Sequence, residues 1–249
     1  IFPAMTMGQN THYKLVDELV ANEFYNLNGR QFSKSEGWYI DLRDVLERYS
    51  ADQIRYTICS NAPETQDSDF TWQDFQLKVN SDLAGKFGNF VHRTLVFTKK
   101  ELQGRLPEKG VFEPVDTQFM SDIAAKLGEI QDSLAAFKVR RACQLLMELA
   151  QISNIYFDTK KPWKDSKVEE TRARMETTLY ACLESIKRLA IAAYPILPQA
   201  AADIWDLLGI EKSLGAITLQ EAILAPVGTL KEPKTLFRKI EDAEIEQEL

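Results

Sequence analysis

Three groups of side chains in this chain carry enough functional groups, closely enough spaced, to do chemistry. Ser33-Lys34-Ser35 follows the Asn28-Gly29 turn signal and precedes Gly37. That places an ammonium between two hydroxyls, with a glycine to let backbone approach, which is a ligand set suited to phosphate. Lys86, Asn89 and Arg93 recur at i, i+3 and i+7 and so share one helical face. An amide and a guanidinium one turn apart can read base edges, while lysines hold phosphates. Trp163 stands in Lys160-Lys161-Pro162-Trp163-Lys164, an aromatic among cations that could stack on an unpaired base. Each group also has an ordinary counterpart. Ser-Lys-Ser loops are more often solvated surface, a basic helical face is commonly only solubilising, and a Trp usually packs.

These groups need elements to hold them. Residues 16–27 are rich in Val, Phe and Tyr and run into Asn28-Gly29, a hairpin signal. A polar loop over 30–37 and a short extended run, Trp38-Tyr39-Ile40, follow. Asp41 can cap a helix to about Tyr49, and Ser50 starts another to about Ser60, stopped by Asn61-Ala62-Pro63. From Asp74 the pattern lengthens: Val79, Leu83, Phe87, Phe90, Thr94 and Phe97 form one largely apolar stripe. After a linker over 107–114, helices are expected over about 119–134, 136–158, 168–193 and 198–208, the last started by Pro198 and closed by Gly209. Beyond Gly215 the chain reads as irregular, and the acidic residues 239–249 read as a peeled-off helix or a linker. The expected architecture is mainly α: a small α/β module over residues 1–73, an antiparallel helix bundle over 74–238, and a tail.

With 249 residues and 45% of them hydrophobic, the chain can bury a substantial core. Its formal net charge of −7 excludes a uniformly basic coat, though not a local basic face, because a phosphate senses the nearby field. Cys59, Cys143 and Cys182 form no CxxC pair, and the histidines are His12 and His92, so neither a metal site nor a disulfide framework is indicated. Buried core cysteines in a reducing cytoplasm are expected, and His92 is assigned no role. The most apolar stretch, 189–196, is too short to span a membrane, and no signal peptide opens the chain. Ile1 is not an initiator methionine, and the opening residues read as the interior of a longer sequence.

The segment Asn22-Glu23-Phe24-Tyr25-Asn26-Leu27-Asn28-Gly29, leading into Phe32-Ser33-Lys34-Ser35, resembles the hairpin and Lys-Met-Ser-Lys-Ser motif of class I aminoacyl-tRNA synthetases, specifically the methionine enzyme. Its flanks agree: Phe2-Pro3-Ala4-Met5 before it, and Asp52-Gln53-Ile54-Arg55-Tyr56, Pro63-Glu64-Thr65 and Asp69-Phe70-Thr71-Trp72 after it. Further on, Asn89 with Arg93, Asn154-Ile155-Tyr156 with Pro162-Trp163, and Tyr194-Pro195-Ile196-Leu197-Pro198 match the family's bundle in order. Leu236-Phe237-Arg238-Lys239-Ile240-Glu241 resembles its C-terminal run, which packs back towards the body of the enzyme.

The resemblance implies that Ser33, Lys34 and Ser35 bind ATP, with Lys34 as the catalytic cation on the phosphates while methionine attacks. It implies that Asn89, Arg93, Pro162 and Trp163 recognise the CAU anticodon of tRNA-Met, the Trp by stacking. One departure stands out: Gln31 occupies the place of the motif's first lysine and brings a hydrogen bond without a charge. ATP with Mg2+ and methionine are implied for the complete methionine–tRNA ligase. The family's His-Ile-Gly-His motif, methionine pocket and zinc-bearing insertion belong to sequence before Ile1, so this chain alone is expected to be inactive, monomeric and cytoplasmic. Two rivals stay open at this point. One is the corresponding part of the isoleucine, valine, leucine or cysteine enzyme; the other is a helical scaffold without specific RNA binding.

Overall fold

The Asn28-Gly29 pair turns the chain as its residue types ask. Both residues take positive φ, 48° and 74°, as a two-residue hairpin turn requires. The computed structural model of the protein describes residues 17–248, so the Phe2-Pro3-Ala4-Met5 segment, His12 and Leu249 lie outside the described residues. Strand β1 (Tyr25–Leu27) pairs antiparallel with β2 (Arg30–Gln31), Asn26 opposite Gln31. A third strand, β3 (Ser68–Phe70), adds parallel to the other edge of β1. The Asp69 carboxylate accepts from the Gly29 N–H at 2.9 Å and so anchors the hairpin tip. Among the described residues of the run 16–27, only Tyr25–Leu27 are strand. The extended run at Trp38 is a single bridge from Ser33 to Trp38, with the indole N–H donating to the Leu27 carbonyl at 3.1 Å.

Between β1 and β3 lie α1 (Leu42–Arg48) and α2 (Ala51–Ser60). Asp41 caps the first through the Arg43 N–H, and Ser50 with Gln53 forms a full capping box on the second, as their positions suggested. Thr71 then caps a continuous helix: α3 (Trp72–Lys78), a π-helical stretch Val79–Gly88, and α4 (Asn89–Leu102). Val79, Leu83, Phe87, Phe90 and Thr94 are all fully buried along it.

The bundle continues with α5 (Pro114–Ala135), α6 (Val139–Lys160), the single turn α7 (Pro162–Asp165), α8 (Arg172–Ala193) and α9 (Pro198–Leu207). Helix α5 starts five residues earlier than expected because Pro114 takes the first helical position, where its missing N–H costs nothing. The α5–α6 break falls at residues 136–138, where Phe137 adopts φ 57°. Gly209 closes α9 at φ 65° with its carbonyl against Gly228; a Cβ on either glycine would strike the other segment's backbone. The stretch after Gly215 is not wholly irregular. It contains α10 (Leu219–Leu224), started by a Thr218/Glu221 capping box.

The tail does not lead away from the body. Gln76 and Asn80 hold the backbone of Ile240, α11 (Asp242–Glu246) follows, and Glu248 forks onto Arg48 at 2.7 and 2.9 Å. Cys143 and Cys182 are buried and Cys59 is half-buried, all as free thiols. Trp72 and Trp205 are buried and Trp38 packs at the core's edge. Among the described residues no helix is long and apolar enough to cross a membrane.

Candidate functional site

The Ser-Lys-Ser loop is a tight lobe at the end of the hairpin. Ser33 and Trp38 exchange both backbone hydrogen bonds at 2.8 Å, which pinches the intervening residues into a turn closed by Gly37 N–H to the Lys34 carbonyl at 3.2 Å. Gly37 sits at φ 68°, a conformation open to glycine at little cost. The Ser33 and Ser35 hydroxyls are 3.3 Å apart and so point to a common side. At the base, Arg30 pairs with Glu36 and lies over the Trp38 ring, 5.5 Å from its centre. Lys34 is exposed, and its ammonium has no hydrogen-bond or ion-pair partner among the described residues. A free cation with two neighbouring hydroxyls on a glycine-flanked turn can meet a phosphate without first breaking an internal pair. Gln31 is exposed on β2, outside the pinched lobe.

The second cluster forms where α4 begins and α6 ends. Asn89 and Arg93, one turn apart on α4, face Asn154, Phe157 and Asp158 on α6. The Asn89 amide nitrogen donates to Asn154 Oδ1 at 3.2 Å. Asn154 is itself buried and fixed, because its own Nδ2 donates to the Lys86 carbonyl at 3.0 Å and the Ala150 carbonyl at 2.9 Å. That arrangement sets which way the Asn89 amide points and leaves its carbonyl oxygen for a ligand. Arg93 lies over the Phe157 ring at 4.6 Å and the Trp163 ring at 5.9 Å, while its Nη2 donates to Asp158 at 2.7 Å.

Trp163 reaches this cluster because of one backbone residue. Lys161 ends α6 in a left-handed conformation (φ 50°) and serves as the residue before α7, so the chain doubles back. Pro162 then occupies the first helical position and is buried, while Trp163 stays half-buried, tilted 42° against Phe157. Asn89, Arg93, Pro162 and Trp163 therefore lie in one neighbourhood despite wide separation in sequence.

Two nearby cations, Lys86 of the i, i+3, i+7 face and Lys160 of the run around Trp163, are used otherwise. Lys86 pairs with Asp82 at 2.7 Å. Lys160 is buried, donating to Glu113 at 2.6 Å and Asp116 at 2.9 Å, so it is a bundle strut and not part of a phosphate grip. Asp116 also accepts from the Tyr156 hydroxyl at 2.7 Å, and Tyr156 stacks on Phe119 at 3.9 Å. Burial alone would raise the Asp116 pKa; the Tyr156 and Lys160 hydrogen bonds outweigh it and hold the carboxyl below its ordinary value. Burial pushes the Tyr156 phenol upward. Phe157 and Asp158 were not foreseen. Their signal was present in the i, i+3, i+4 spacing with Asn154, which puts all three on the helical face opposite Arg93. Among the described residues no group of three or more His, Cys, Asp and Glu side chains could hold a metal.

A helix bundle carrying this platform, joined to a hairpin with a Ser-Lys-Ser lobe, defines a class. Residues 1–95 match the family model described as tRNA synthetases class I (M), and residues 106–248 match the anticodon binding domain of methionyl tRNA ligase. The methionine–tRNA ligase of Protochlamydia amoebophila (strain UWE25) is 51% identical over 259 aligned residues, covering 100% of this chain and 36% of that protein. That of Chlamydia pneumoniae is 40% identical, covering 97% of this chain and 46% of that protein. The chain belongs to the methionyl-tRNA synthetase family. Among solved structures, it is similar to the Mycobacterium tuberculosis methionyl-tRNA synthetase in complex with methionyl-adenylate. That match has a TM-score of 0.76 and 29% identity, over 85% of this chain and 42% of that one. The apo form from the same organism matches with a TM-score of 0.76 at 26% identity, over 87% and 42%. The chain spans less than half the length of the curated relatives it matches.

Proposed function

We propose that this chain is the tRNA-reading and loop-bearing part of a methionine–tRNA ligase. In this reading the bundle, residues 74–238, binds the CAU anticodon of tRNA-Met. The module over residues 1–73 brings Ser33, Lys34 and Ser35 to ATP during methionine activation, and 239–249 form the tail. The observation that carries the reading is the convergence of Asn89, Arg93 and Trp163 on one half-open patch. Asn89 offers an oriented amide, Arg93 a guanidinium fork, and Trp163 with Phe157 a stacking surface, the combination that single-stranded RNA recognition uses. The Arg93–Asp158 pair that occupies the patch is solvent-exposed, with Asp158 56% open, and such pairs are worth about 0–1 kcal/mol. RNA can displace it cheaply.

On the loop, negative charge moves onto the leaving pyrophosphate as the adenylate forms. A cation placed there stabilises the transition state more than the ground state. Mg2+ would accompany ATP in the complete enzyme, which we read as cytoplasmic, with this chain monomeric. The test of the anticodon assignment is binding of a CAU anticodon stem-loop to the chain and to Trp163→Ala. Loss of stacking should weaken binding by roughly 1–3 kcal/mol. Unchanged affinity in the variant would remove Trp163 from the site.

A further inference from the structure

Asn154 lies buried on α6 against the exposed Asn89 of α4, and its amide has one direction open to it. The carbonyls of Lys86, at 3.0 Å, and of Ala150, at 2.9 Å, face one end of that amide. A carbonyl can only accept, so that end is the NH2 group. Asn154 Oδ1 is thereby aimed at Asn89, where it meets the amide nitrogen at 3.2 Å. With the Asn89 amide turned over, two oxygens would face each other with no hydrogen between them, and a buried acceptor left unpaired is costly. The two carbonyls belong to different elements, Lys86 to the π-helical stretch and Ala150 to α6. The packing of these helices therefore sets the polarity of a surface side chain.

Polarity selects a base. Asn89 Oδ1 has no hydrogen-bond partner among the described residues, and one turn further along α4 stands Arg93, which carries donors alone. The patch thus sets an acceptor next to a donor fork, with the Trp163 ring 5.9 Å from Arg93. Cytosine and adenine carry an amino group where uracil and guanine carry a keto oxygen. An amino base can give a hydrogen to Asn89 while its acceptors meet Arg93. A keto base in the same place sets oxygen against oxygen. We infer that Asn154 is a positioning residue for anticodon reading: buried away from the RNA, it fixes the Asn89 amide and so makes the patch select cytosine or adenine over a keto base. The inference rests on the anticodon reading of the patch. A packing role alone predicts a different result, since loss of packing weakens every RNA alike.

The test titrates a CAU anticodon stem-loop and two controls, UAU and CGU, into the 249-residue chain and its Asn154→Leu variant at one fixed salt. Each control exchanges one amino base for its keto counterpart. The parent should prefer CAU over at least one control by about fivefold or more, the margin of a base-edge contact. In Asn154→Leu that preference should be lost through weaker CAU binding, while the affinity for the control stays that of the parent. A parent that binds all the stem-loops alike overturns the anticodon reading and this inference with it. A preference that the variant keeps, or affinities that fall together, overturns the inference and leaves the reading standing. The unmodified chain supplies a second readout should the variant not fold. In NMR, the Asn89 side-chain amide resonances should move with CAU and stay in place with the disfavoured control, while the Asn154 amide hydrogens exchange slowly with solvent in both complexes. Asn89 resonances that move equally with both RNAs, or rapid exchange at Asn154, overturn it.

Discussion

Lys34 and Arg93 are the two cations on which the functional reading turns, and the chain treats them oppositely. Lys34 is left without a hydrogen-bond or ion-pair partner among the described residues at the tip of its lobe, with only the field of Asp41 acting on it, whereas Arg93 is held by Asp158 and by the rings of Phe157 and Trp163. A lysine ammonium is a point charge that serves a moving phosphate. A stacked guanidinium is a shaped donor that serves a base or sugar edge. In the complete enzyme, Lys34→Ala should slow methionine-dependent ATP–pyrophosphate exchange by roughly 10²–10³-fold, by analogy with the loss of a transition-state donor, while leaving stem-loop affinity alone. An unchanged exchange rate would refute the role. At this scale the residue types and spacing narrowed the choice, and the family resemblance made it. The i, i+3, i+7 spacing of Lys86, Asn89 and Arg93 was equally compatible with a solvated face, and in the structure Lys86 is indeed spent on Asp82. Lys160 reads in the sequence as one of the cations flanking Trp163, yet it is buried in the bundle. Its burial depends on Glu113 and Asp116, more than forty residues away in sequence.

Among the elements, those with local punctuation were readable and those held by distant partners were not. The Asn28-Gly29 turn and the Asp41 and Ser50 caps carry their instructions in two to four residues. The Thr218/Glu221 capping box was equally legible, and its helix could have been placed from the Thr-x-x-Glu spacing alone. Strand β3 could not, since Ser68-Asp69-Phe70 has no strand signature and is extended because β1 supplies its hydrogen bonds. Nor could the π-helical stretch. Its apolar residues at spacing four look like an α-helix, yet the Asn89 N–H reaches the Ala84 carbonyl five residues back. That stretch ends where Asn89 begins, so it sets the angular position of Asn89 and Arg93 towards α6.

The Gly209 turn and the Asp116 cluster each expose an element to a direct test. Gly209→Ala would place a Cβ 2.3 Å from the Thr229 carbonyl oxygen at a left-handed φ, and should cost roughly 1–3 kcal/mol in chemical denaturation. A stability equal to the parent would show that the turn can give. Asp116, with a folded pKa below its unfolded value, contributes stability that is present above the unfolded value and lost as pH falls through the folded one. Asp116→Asn should therefore lower stability near neutral pH and flatten its fall in acid. A parallel acid profile in parent and variant would contradict the assignment.

Across the whole molecule, the loop module and the bundle are tied at several points. Asp52 on α2 accepts the Ala200 N–H at the start of α9 at 2.7 Å, and Arg55 donates to the carbonyls of Pro195 and Ile196 at the α8–α9 corner. Burial raises the Asp52 pKa, with the helix N–H groups of Ala200 and Gln199 opposing it. The C-terminal run closes the circuit, since Phe237 packs on Phe87, Ile240 is held by Asn80, and Glu248 by Arg48. The mainly α architecture was readable from helical periodicity. These long-range ties were not, because a carboxylate at residue 52 gives no sign of the helix start at 198.

The central claim is that the patch reads an anticodon, and the most direct measurement compares two RNAs on the unmodified chain. A CAU anticodon stem-loop and a copy with one anticodon base exchanged would be titrated at the same fixed salt. The account predicts preference for CAU by about 1–3 kcal/mol, the discrimination expected of oriented amide and guanidinium contacts to base edges. Equal, weak and steeply salt-dependent binding to both would mean that the chain meets only phosphate charge, and would contradict it.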